Sequence, residues 1–132
     1  LNNGEANGNQ FISSETLELM KTNQIGDLNY EFQPTYNPSL IHAHEWYPNI
    51  KKKFTYGFLT NLEDLPGGRK AGSLAWSGIC NTYFWIDPYS GIAGTAMMQL
   101  SPHYDKRCIS ILEALEKASY SELDVLNNWS AT

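Results

Sequence analysis

Three features of the 132-residue sequence predict an α+β fold with an antiparallel sheet of three to four strands and a C-terminal helix on one face. Segments rich in aromatic and β-branched residues recur between residues 54 and 100, glycine and proline turns separate them, and an amphipathic helical pattern follows residue 105. With 42% apolar residues the chain has the material for one core, and no composition shift marks a second domain.

Residues 1–12 read as a turn-rich entry with two Asn-Gly-like breaks. A helix is predicted from Ser13-Ser14-Glu15-Thr16, where a serine oxygen can accept an orphan backbone N–H, and Leu17 and Met20, with Leu19 beside them, give it a short apolar stripe to about Asn23. From Ile25 to Asn49 the periodicity dissolves into a long loop punctuated by Pro34, Pro38 and Pro48, and loops of that length in compact domains commonly carry function or cover something. Phe54–Thr60 is predicted as one strand. Leu65-Pro-Gly-Gly-Arg69 is a turn, followed by strands at Ser73–Ser77, Thr82–Asp87 and Ile92–Leu100. In the second of these, Tyr83, Trp85 and Asp87 alternate with Phe84 and Ile86, which suits burial of both faces. The last helix, capped by Ser101 or Asp105, is expected to bury Ile109, Ile111, Leu112 and Leu115 and to hold its acids on the opposite side.

A net charge of −5 argues against a nucleic-acid surface, which needs clustered cations. Lys51-Lys52-Lys53 is the one cationic run, read as a solvated strand entry without a partner. No window approaches the ~20 apolar residues of a membrane span. Cys80 and Cys108 define no disulfide framework, so whether they pair, and the compartment, stay open. Asn128-Trp-Ser130 matches a glycosylation sequon. His42-Ala-His44 has a spacing that can bind metal, but no third ligand is indicated and His103 is remote in sequence, so neither a metal nor a cofactor is expected.

Gly72-Ser-Leu-Ala-Trp-Ser-Gly-Ile-Cys-Asn-Thr-Tyr-Phe-Trp-Ile-Asp-Pro88 and the closing Thr95-Ala-Met-Met-Gln99 resemble the third active-site element, and the two strands after it, of the serine β-lactamase and penicillin-binding-protein superfamily, in particular its esterase and D-aminopeptidase members. Ile12–Asn23 resembles the end of that superfamily's helical region. The resemblance implies one incomplete domain: residues 1–53 are the end of a helical region plus a long loop, and residues 54–132 the C-terminal sheet and helix of the α/β part. Trp76-Ser77-Gly78 takes the place of the superfamily's Lys-Thr-Gly. It implies that Trp76 walls the acyl pocket, that Ser77 and Gly78 touch substrate, and that the backbone N–H of Ile79 donates to an oxyanion. The resemblance implies a serine hydrolase that works through an acyl-enzyme, and tryptophan in the lysine position removes a fixed cation, which favours a small ester or amide substrate over an anionic one. No serine is followed three residues later by lysine, so the superfamily's activated nucleophile is absent from these residues and the chain alone is expected to be inactive.

The implied partner is a missing N-terminal part of the same protein, or a second copy joined through the Ile92–Leu100 edge. The alternative is a binding or assembly module that keeps the fold without catalysis and uses that edge and the 31–53 loop.

Overall fold

The computed structural model describes residues 1–130, with side chains as far as Leu123; the side chains of the Asn128–Ser130 sequon lie outside the described residues. Among the described residues seven strands and two helices occur in chain order. A two-residue hairpin, β1 (Glu5–Ala6) and β2 (Asn9–Gln10), precedes helix α1 (Ser14–Lys21). Then follow β3 (Lys52–Phe54), β4 (Leu59–Asn61), β5 (Leu74–Gly78), β6 (Thr82–Asp87), β7 (Ile92–Ala96) and α2 (Lys106–Ser130). Strands β3 to β7 form one sheet in sequence order, with every neighbouring pair antiparallel.

The fifth strand arises because Phe54–Thr60 is not one strand. Gly57, at φ +101°, breaks it, and the Thr55 N–H bonds the Phe58 carbonyl at 2.8 Å, so β3 and β4 fold back as a hairpin. The segment from Ile92 keeps strand pairing only to Ala96. Helix α1 starts where predicted: the Ser13 hydroxyl accepts the Thr16 N–H at 3.2 Å. It buries no residue completely.

Register puts Leu59, Ala75, Tyr83, Trp85 and Ala96 on one face, and Cys108 and Leu112 of α2 pack against them with Trp46 from the long loop. The opposite residues of β6, Phe84 and Ile86, are only half-buried. Asp105 is the α2 cap, its Oδ1 accepting the Arg107 N–H at 2.9 Å. The buried stripe of α2 is Cys108, Leu112, Glu116 and Tyr120, a strict i, i+4 series, whereas Ile111 and Leu115 are exposed. One acid of α2 thus lies on the buried side and not on the solvent side expected from the sequence. Glu116 is drawn inward by Arg69: Arg69 Nε donates to Glu116 Oε1 at 2.8 Å, with side chains 4% and 6% exposed respectively. The Tyr47 hydroxyl donates to Glu116 Oε2 at 2.8 Å and accepts from the Arg69 guanidinium, which also lies 4.9 Å from the Tyr47 ring centroid.

Of the lysine run only Lys51 is exposed as a solvated face requires. Lys52 is 1% exposed and its Nζ donates to the carbonyls of Tyr47 (3.0 Å) and Ile50 (2.6 Å), while Lys53 Nζ donates to those of Gly26 and Leu28. These ammonium groups satisfy loop carbonyls that no regular element covers, which is how residues 25–50 are held without secondary structure of their own. Asp87 does the same at the far end of β6. It accepts the N–H groups of Lys70, Tyr89 and Ser90, each at 3.0 Å, and the Tyr120 hydroxyl at 2.9 Å, tying the β6–β7 turn to the 65–70 loop and to α2. Burial by itself would raise the Asp87 carboxyl, but these donors outweigh it and the net shift is downward.

Candidate functional site

Strand β5 is asymmetric. Its partner β6 runs beside all five residues, from Leu74 opposite Ile86 to Gly78 opposite Thr82, whereas β4 pairs only with Leu74 and Ala75. The second half of the strand, Trp76–Gly78, therefore presents one unpaired backbone edge. The connection to β6 explains its termination. The Asn81 N–H bonds the Gly78 carbonyl at 3.1 Å, and Asn81 takes φ +60°, giving a tight turn closed by a left-handed residue of the type that tolerates it. With the Gly78 carbonyl turned into this hairpin, alternation along the chain directs the Ile79 N–H to the other edge. It has no acceptor among the described residues, and Ile79 is 51% exposed.

Asn81 fixes the turn from beneath. Fully buried, it donates from Nδ2 to the carbonyls of Leu100 and Pro102, both at 2.8 Å, and its Oδ1 accepts the Tyr83 hydroxyl at 2.7 Å and the Asp105 N–H at 3.1 Å. All of its amide capacity is used inside the protein, so the corner is rigidly joined to the start of α2.

The corner has an aromatic wall. Trp76 packs edge-on to Phe54 at 4.9 Å and to Tyr30 at 6.5 Å, and stacks with Trp46 at 6.4 Å. Each such contact adds ~0.5–1.5 kcal/mol beyond area burial, so the indole is held in place. Burial, together with Tyr104 and Glu45, lifts the Tyr30 hydroxyl to about 12, and burial, with Glu113 and Glu45, lifts Tyr104 to about 12, so both phenols are neutral hydrogen-bonding groups.

Ser77 and Tyr83 are cross-strand partners, and beside them sits His103, whose Nε2 lies 3.3 Å from Ser77 Oγ. His103 was remote in sequence, but a bridge between Ile41 and His103 brings it to the long loop. Its backbone bonds that of Leu40 at 2.7 Å and that of His42 at 3.0 Å. The His103 ring stacks on Tyr83 and meets the His44 ring edge-on at 5.5 Å. His44 in turn stacks on Tyr104 at 4.3 Å, and its Nδ1 lies 2.9 Å from the His42 carbonyl. Two histidines separated by 59 positions thus meet, as part of an aromatic cluster. Among the described residues no three His, Cys, Asp or Glu side chains converge as metal ligands. Cys80 is half-buried in the turn and Cys108 is buried in α2; both are free thiols, and burial pushes the Cys108 thiol up.

The structure thus gathers Trp76, Ser77, Gly78 and the Ile79 amide at one corner and adds His103, Asn81, Tyr30 and Trp46 around them. Of the additions, only Asn81 carried a sequence signal, as the last residue before a strand in a glycine-led turn.

No family model matches the chain. It is 27% identical over 124 residues to ML-236A carboxylate methylbutanoyltransferase of Penicillium citrinum, covering 89% of this chain and 29% of that protein. It is 35% identical over 75 residues to monacolin J acid methylbutanoyltransferase of Aspergillus terreus, covering 55% of this chain and 18% of that one. Among solved structures it aligns with a mutant of simvastatin synthase from Aspergillus terreus at TM-score 0.67 and 22% identity, and with the unliganded enzyme at 0.64 and 23%. The mutant alignment covers 87% of this chain and 30% of that one. The fold is β-lactamase-like. The five-stranded antiparallel sheet and terminal helix match the α/β fold of these neighbours, and the chain spans less than a third of the length of the relatives it matches. No helix among the described residues is long and apolar enough to cross a membrane.

Proposed function

We propose that this chain is the C-terminal part of a β-lactamase-like acyl-transfer protein, in which it supplies one oxyanion donor and one wall of the acyl pocket. The observation that carries this reading is the free backbone edge at Trp76–Ile79: an N–H without an internal acceptor, on a half-exposed residue, beside a fixed indole wall. The methylbutanoyltransferase names of the relatives support it, and favour transfer of a short acyl group, from an ester or amide, over opening of a β-lactam.

In the whole protein, a serine contributed by the remaining polypeptide attacks the acyl carbonyl carbon. The carbonyl electrons move to oxygen, and that oxyanion accepts the Ile79 N–H together with the N–H of the nucleophile. Collapse expels the alcohol or amine, which departs with the proton lost by the serine, and leaves an acyl-enzyme. An acceptor hydroxyl, or water, then attacks the same carbon and releases the serine. Gly78, with no side chain, lets the substrate approach the strand backbone. Ser77 binds the substrate or its acceptor, and Trp76 packs the acyl chain.

The test uses the gene product that contains a Ser-x-x-Lys segment upstream of these residues. It is expected to label with a fluorophosphonate and to release p-nitrophenol from p-nitrophenyl butanoate. Ile79→Pro, which deletes the N–H, should lower the acylation rate ~10²–10³-fold with little change in KM. A full-length protein that resists labelling, or an Ile79→Pro variant that acylates at the parent rate, would sink the reading in favour of a non-catalytic binding module built on the same fold.

A further inference from the structure

His103 is 7% exposed, and its Nδ1 has no hydrogen-bond partner among the described residues. Burial and the neighbouring His44 both disfavour a charged ring, opposed by the Gly78 carbonyl beside it. A neutral imidazole carries one N–H. On Nδ1 that proton would be a buried donor with no acceptor, an arrangement rarer and costlier than a bare lone pair. On Nε2 it faces two acceptors on the β5 corner, Ser77 Oγ at 3.3 Å and the Gly78 carbonyl beside it. Once the Ser77 oxygen accepts from His103, its own proton has no internal acceptor, because Ser77 Oγ has no other partner among the described residues.

We infer that His103 is a positioning residue that holds its Nε2–H on Ser77 Oγ, so that Ser77 meets a ligand as a hydrogen-bond donor and selects an acceptor group, a carboxylate or carbonyl oxygen, over an ammonium. The same arrangement removes Ser77 from the candidate nucleophiles. A ring that donates to the hydroxyl cannot take its proton, and Nδ1 has no carboxylate to turn the ring around, Asp105 being engaged with Arg107 at 2.9 Å. The ligand half of the inference rests on reading the Trp76–Ile79 corner as a binding site; the proton placement does not.

Two-bond ¹H–¹⁵N correlation spectra of the ¹⁵N-histidine-labelled chain read the ring directly. The expected result at neutral pH is a His103 ring protonated on Nε2 and bare on Nδ1. A proton on Nδ1, or on both nitrogens, overturns the inference whatever the variants do. Titration with butanoate and with butylamine, followed on the Ser77 and Ile79 amides, reads the ligand half. Butanoate should bind in preference, His103→Gln, which keeps a donor, should retain that preference, and Ser77→Ala and His103→Leu should weaken butanoate by about tenfold. Preference for butylamine overturns the inference. If neither probe shifts these amides, the corner is not a binding site, and the ligand half falls with the proposed function while the ring spectrum still judges the proton placement.

Discussion

Removing the Glu116 carboxylate isolates the consequence of an acid buried on α2. Glu116→Ala leaves the Arg69 guanidinium, 4% exposed, with the Tyr47 hydroxyl as its remaining side-chain partner among the described residues, and it opens space against Gly68 and the 65–69 turn. Loss of one member of a buried pair costs about 3–5 kcal/mol, because the surviving charge stays desolvated. At a urea slope of roughly 2 kcal/mol/M that is a fall of about 2 M in midpoint. Arg69→Met/Glu116→Leu removes both charges and fills the volume, so it should recover most of the loss and leave stability within about 1–2 kcal/mol of the parent. The assay is urea unfolding followed by tryptophan fluorescence, run as a double-mutant cycle. If Glu116→Ala costs under about 1 kcal/mol, the pair is hydrated in solution and the desolvation argument is wrong. If the double variant is no better than the single one, the damage comes from packing and not from an orphaned charge.

Asp87→Ala orphans the Lys70, Tyr89, Ser90 and Tyr120 donors, and should cost about 3–5 kcal/mol by calorimetry, with the β6–β7 turn losing amide-exchange protection first. Because the folded-state carboxyl is depressed, its stabilisation is present above the ordinary carboxylate range and is lost as pH falls through it; Asp87→Asn should flatten that part of the stability–pH curve. His103 has the opposite chemistry and the same direction: its folded-state value is below 6.5, so as pH drops beneath 6.5 the unfolded chain takes up a proton that the native ring refuses. Stability should therefore decline on that side, and the decline should shrink in His103→Gln. At Gly94 an added methyl would collide with the six-membered ring of Trp85 across the strand pair, so Gly94→Ala should cost about 1–3 kcal/mol and shift the indole emission; unchanged emission and stability would mean that the ring does not lie over the glycine.

The strands after residue 72 were legible because alternation, aromatic content and glycine turns all agree there, and the turn between β5 and β6 falls where Gly78 and Asn81 interrupt the pattern. The sheet's first two strands were not, since three-residue strands around Gly57 carry no measurable period. Nor was the buried stripe of α2, because Glu116 reads as solvent-facing until Arg69, 47 positions away, is known to lie beneath it. Long-range pairing of polar groups explains the other surprises. Lys52 and Lys53 look like a charged surface in one dimension and act as caps for loop carbonyls in three. His103 reaches Ser77 through a single bridge that no local pattern announces.

Asn81 carries a mechanical implication. One side-chain amide grips the turn that aims the Ile79 N–H, the Leu100–Pro102 strap and the first residue before α2. A push on the base of that helix would swing the amide along with it. Under the function proposed above, assembly with the rest of the protein and the aim of this peptide dipole would be geared together, and a misfit at the helix base would misdirect the donor without any change at the corner itself.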